Sequence, residues 1–216
     1  MAPKVGISSG HMIRKDNILT ILSSHGFRVA SINVPMTYPP YRVNGIIVSG
    51  IETPKGRVFA YPLSLYFKLV KRGYSPELDT PYIPGKEKEF LNKVYLMIER
   101  RKELLFTILN DGSFDLILFH LTETDRVSHT FWRFMDESHP HYPGENPFKN
   151  AILEVYKKAD ELLEKILKKI DKGTLLIVLS DHGFGPEHYR LNLNNWLLEK
   201  NHMFLKNEFT TAIKNY

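Results

Sequence analysis

Two pairs of metal-ligand residue types stand at the ends of two apolar runs. Asp125 and His129 occur in TETDRVSHTFW, directly after DLILFHLT (115–122). Asp181 and His182 occur in SDHGFGP, directly after TLLIVLS (174–180). A carboxylate and a neutral imidazole are ligands that divalent ions such as Zn²⁺ and Mn²⁺ accept. Each pair lies where a buried strand is expected to release the chain into a loop, the place where open α/β sheets assemble their sites. One such pair says little. Two, each behind a strand and joined by a helix, point to a two-metal centre.

Composition bounds the possibilities. The chain has 216 residues, 43% hydrophobic and 25% charged, enough for one sizeable core. We read residues 1–216 as a single α/β domain, with 35–86 as a cap or substrate-side insertion. Cysteine is absent, which excludes disulfides and thiolate sites and leaves a metal with O and N ligands. The net charge is +5 and the pI about 9.2, but basic residues alternate with acids, as in KKADELLEKILKKIDK. No nucleic-acid surface is therefore expected, although a modest positive field suits a phosphorylated substrate. No apolar run reaches the length of a membrane span, and MAPKVGISSGHMIRKDN lacks the apolar stretch of a secretory leader. The expectation is a cytoplasmic protein without membrane association.

The elements that must position the ligands follow from periodicity. Asp16 or Asn17 caps a helix carrying Ile18, Leu19, Ile21 and Leu22, which stops at Gly26. RVASINV (28–34) and NGIIVSG (44–50) read as strands, and Pro62 opens a short helix ending near Gly73. Phe90, Leu91, Val94, Met97, Ile98, Leu104, Leu105, Ile108 and Leu109 predict a long helix over 87–110. The run DLILFHLT is apolar nearly throughout, as expected of a strand covered on both faces. After the first ligand pair, FMDESHPHYPGENPF reads as a loop, and a helical stripe then runs over 148–171. TLLIVLS follows as a strand, so strand–helix–strand forms a right-handed crossover with the two strands parallel. A short helix near 194–201 closes the reading.

At SDHGFGP and TETDRVSH the chain resembles the alkaline phosphatase superfamily, and most closely the archaeal and bacterial branch of the type I phosphodiesterase/nucleotide pyrophosphatase family. The similarity runs through INVPMTYPP, NGIIVSG, the D-x-x-x-H pair and the AILEVYKKAD helix, covering most of residues 8–203. The resemblance implies a three-layer α/β/α fold with a mostly parallel sheet and two metal ions at its C-terminal edge. Asp125 and His129 match ligands of one metal; Asp181 and His182 match ligands of the other. Zinc is the first expectation, with manganese or magnesium as alternatives, and a phosphate-ester small molecule is the implied substrate.

The family pattern has three further parts: an Asp in a G-x-D-G strand end, a Ser or Thr nucleophile shortly after it, and a His near the C-terminus. None is found here, since the segment before residue 8 is too short for the first two and Tyr216 precedes the region of the third. The nucleophile is thus unassigned, and the fold is expected to be incomplete. Ser8, Ser9, Thr37 and Thr53 have the right type but not the strand–loop–helix context. His188 is a candidate for reaching substrate or the second metal, and Arg126 for contacting phosphate. His120, inside its strand, reads as a core histidine, and Trp132 and Phe131 as packing residues. Two functions follow: a metal-dependent phosphohydrolase, or a catalytically inactive or partner-completed fragment of one that binds metal or phosphate. The second includes a homo-oligomer joined through an incomplete sheet.

Overall fold

The structure, a computed structural model, describes residues 10, 15–78, 81–187, 189 and 191–204. Its centre is a sheet in which apolar side chains alternate between two faces. β1 (Val29–Val34) pairs in parallel with β2 (Gly45–Ser49) on one side and β4 (Leu116–Phe119) on the other. The two-residue β3 (Ala60–Tyr61) adds antiparallel to β2, giving the order β3-β2-β1-β4. In register, Val29 lies beside Gly45 and Leu116, and Ala30 beside Ile46 and Ile117. Gly45 sits at φ +143°, and a Cβ there would fall 2.0 Å from the Val29 carbonyl oxygen, so only glycine admits this close approach of β2 to β1.

Period-two alternation makes three layers. Val29, Ile47, Leu116 and Leu118 pack with α1 (Ile18–Ser24), whose N-cap Asn17 and Thr20 form a capping box. Ala30, Ile32, Val48, Ile117 and Phe119 face the other layer. That layer holds α2 (Leu63–Lys71), α3 (Glu87–Asp111) and the following side of α5 (Ala151–Lys169). α3 ends at Gly112, in the left-handed conformation at φ 68°. A second core is purely helical: Phe90, Val94 and Ile98 of α3, Val127 and Phe131 of α4 (Glu123–Met135), and Ile152 and Val155 of α5. The short α6 (Leu193–Glu199) closes the described chain. This is a mixed-sheet α/β architecture, as expected from the order of elements.

Two local expectations are corrected. Asp125 and His129 are not in a loop. They lie in the first two turns of α4, because Val127, Phe131 and Phe134 supply a helical stripe that buries against α3 and α5. The segment 174–180 is not a strand and does not complete a crossover beside β4. It runs irregularly with Leu175, Ile177, Val178 and Leu179 between 67% and 82% exposed. Strand propensity is realised only against a partner ladder and a covering layer, and among the described residues this segment has neither.

The aromatic packing that seats α4 centres on Phe131, which is fully buried against Phe90, Phe134 and Phe148. Phe131→Ala should cost about 3–5 kcal/mol through lost burial and a residual cavity, read as a lowered urea midpoint at unchanged slope.

Candidate functional site

The C-terminal end of the parallel strands releases the chain into α4, whose first turn carries Asp125. One helical turn on, His129 Nε2 lies 3.3 Å from Asp125 Oδ1. Two ligands bound about 2.1 Å from one tetrahedral ion stand about 3.4 Å apart, so this spacing is what a shared cation requires. The second pair comes to the same place from a distant stretch of chain. His182 Nε2 lies 4.0 Å from Asp125 Oδ1 and 3.7 Å from Asp181 Oδ2. The structure thus brings together all four residues singled out by type and spacing, with Asp125 standing between the two imidazoles.

Aromatic contacts hold the second pair in place. Phe184 packs edge-on to the His129 ring at 4.7 Å and stacks on Trp132 at 5.5 Å. These rings lie on one face of α4, so the 181–184 segment docks on the helix that carries the first pair. Phe184 is within the recognised SDHGFGP string, but nothing in the sequence says that Trp132 is its seat.

The His182 tautomer follows from its neighbour. Nδ1 is 2.8 Å from the Gly183 carbonyl, which can only accept, so Nδ1 carries the proton and the Nε2 lone pair is left free. The Gly183 carbonyl, and then the Asp181 and Asp125 carboxylates, push the His182 pKa above its ordinary value. The chemistry of the donors suits divalent cations. Even so, among the described residues no group of three or more His, Asp or Glu side chains is arranged so that it could hold a metal ion. The cluster is also open: the side chains of His129 and Asp181 are 68% and 83% exposed. Two surface clefts lie elsewhere, about 470 Å³ beside Lys102, Phe106 and Lys165 and about 590 Å³ beside Lys88 and Asn92.

The other candidates separate clearly. Arg126 pairs with Glu77, so its guanidinium is turned to the 75–78 loop. His188, Ser8 and Ser9 lie outside the described residues. Thr37 and Thr53 each donate their hydroxyl to a backbone carbonyl, of Val34 and Gly50, at 2.7 Å. His120 sits just past the end of β4, half-buried, with Nδ1 3.1 Å from Thr122 Oγ1. Burial and then the Arg101 charge hold its pKa below the usual histidine value, while the Asp181 and Asp125 carboxylates pull it upward. His120 is therefore within electrostatic reach of the cluster, not sealed in the core.

The family model for type I phosphodiesterase / nucleotide pyrophosphatase matches residues 4–214, nearly the whole chain. The chain belongs to that family. Membership in the alkaline phosphatase superfamily follows, and with it a hydrolase of phosphodiesterase or pyrophosphatase type acting on phosphate esters, in a family that is generally metal-dependent. No curated protein and no solved structure matches the chain. Among the described residues, no helix of this phosphodiesterase-family chain is long and apolar enough to cross a membrane.

The depressed His120 pKa gives a pH dependence of known sign. The unfolded chain takes up this proton first, near the ordinary value of 6.5, so the His120 contribution is fully present above that pH and is lost as pH falls below it. His182, with its raised pKa, acts oppositely: its contribution is present at low pH and is lost as pH rises through the folded value. Urea unfolding followed between about pH 5 and 8 should therefore show less acid destabilisation in His120→Asn than in the unaltered chain.

Proposed function

We propose that this chain is a metal-dependent phosphohydrolase with a two-metal site. In this reading Asp125, His129, Asp181 and His182 hold two divalent cations, zinc foremost and manganese or magnesium as alternatives. The observation that carries it is the approach of His182 Nε2 to 4.0 Å from Asp125 Oδ1. Two segments more than fifty positions apart in the sequence meet there through the same residue types that the family uses. Bound cations would neutralise phosphoryl charge and lower the pKa of coordinated water.

The protein groups have definable tasks. The Gly183 carbonyl orients His182 with Nε2 free. The helix sets the Asp125–His129 spacing, and Phe184 holds one pair against the other. Arg126 lines the substrate side only on leaving Glu77, and His188 follows the second pair closely in sequence. The nucleophile is unassigned. A small phosphodiester or nucleotide pyrophosphate is the substrate class.

Hydrolysis of a chromogenic phosphodiester with Zn²⁺ or Mn²⁺ tests the reading. Asp181→Ala and His129→Ala should each lower kcat/KM about a hundredfold, the loss of a few kcal/mol of charge stabilisation. Undiminished turnover in both variants defeats the assignment.

A second reading is favoured by one observation. Leu175, Ile177, Val178 and Leu179 are exposed, and the outer edge of β4 pairs with no strand among the described residues. An exposed apolar segment and an open strand edge each invite association. On this reading the chain is completed by a partner, a second copy in the simplest case. Light scattering should then show mass rising with concentration, and Leu175→Lys with Leu179→Lys should return the chain to monomers.

A further inference from the structure

Beneath the first ligand pair lies a buried ion pair with unusual surroundings. Arg101 is 2% exposed and Glu123 fully buried, with Nη1 donating to Oε2 at 2.8 Å. The guanidinium also donates to Thr122 Oγ1 at 3.2 Å and to the Pro76 carbonyl at 3.1 Å. It thereby ties together α3, the loop after α2 and the start of α4. Arg101 Nε and Glu123 Oε1 have no hydrogen-bond partner among the described residues.

Two local rules are broken at this point. Thr122 is the N-cap residue of α4, yet its side chain makes no capping hydrogen bond and serves Arg101 instead. And a buried pair with unsatisfied atoms does not recover its desolvation, so an apolar pair of similar size would stabilise the fold at least as well. Such conflicts concentrate where function constrains a residue.

Geometry supplies the constraint. Two residues of α-helix turn through about 200°, so fixing Glu123 inside the core sends Asp125 to the opposite, outer side of α4. We infer that Arg101 and Glu123 are positioning residues, which set the rotation of the first turn of α4 so that Asp125 and His129 meet His182. The inference rests on the two-metal reading above and extends it to a pair of residues that touch neither cation nor substrate.

The test is zinc binding by calorimetry, alongside thermal unfolding. The double variant Arg101→Met with Glu123→Leu replaces the pair by apolar residues of similar size. It should unfold at or above the temperature of the unaltered chain and bind Zn²⁺ about tenfold or more weakly. Glu123→Gln, which keeps an acceptor for Arg101, should retain most of the affinity. Should the double variant not fold, Thr122→Val is read in its place, with weaker zinc binding expected. Zinc affinity in the folded double variant, or in Thr122→Val, equal to that of the unaltered chain overturns this inference alone. Absence of zinc binding by the unaltered chain overturns it together with the two-metal reading.

Discussion

The seating of α4 is the constraint on which the site depends. The helix buries Glu123, Val127, Phe131 and Phe134 against α3 and α5, and this fixes which side chains remain outside. Asp125, His129 and Trp132 are left on the accessible side. His129 and Trp132 there form the surface on which Phe184 packs. A slip of α4 by two residues, about 200° of rotation, would exchange inner and outer sets and take Asp125, His129 and the seat of Phe184 off the accessible side.

Charge around this helix is distributed to the same end. The chain carries +5 overall, but the cations nearest α4 are already engaged: Arg126 by Glu77, Arg101 by Glu123, and Arg133 beside Glu87 at 3.8 Å. Among the described residues, the side chains paired with the Asp125 and Asp181 carboxylates are the imidazoles of His129 and His182. Two carboxylates without a Lys or Arg partner among the described residues are the arrangement that, on the proposed reading, would attract a cation.

Much of this was legible in the sequence, for physical reasons. The two parallel strands β1 and β2, and the helices α1, α3 and α5, announce themselves by apolar period and by caps such as Asn17 and Gly112. α4 was hidden because its apolar residues form a narrow stripe among the polar ligands of TETDRVSHTFW. The segment 174–180 misled in the opposite direction: a continuous apolar run with Thr, Ile and Val reads as a strand, but a strand needs a neighbour, and neighbours are not written in local composition. Within the site, residue type and position behind an apolar run sufficed to single out four residues that the fold gathers. The Trp132–Phe184 stack is a tertiary contact with no local signature. Arg101 did leave a trace, since it falls in phase with the buried stripe of α3, three residues from Ile98 and four from Leu105.

The two halves of the cluster differ in mechanical character. Asp125 and His129 ride on regular helix, so their separation is set by helical pitch and changes little. Asp181 and His182 ride on irregular backbone held by one phenylalanine ring. The cluster therefore resembles a vice with one fixed jaw and one hinged jaw. Ordering the hinged side costs about 1–2 kcal/mol for each residue immobilised, whereas the fixed side is organised before anything arrives. On the proposed reading, adjustment to ions of different size would fall to the 181–184 segment, with the helical pair setting the spacing it must match.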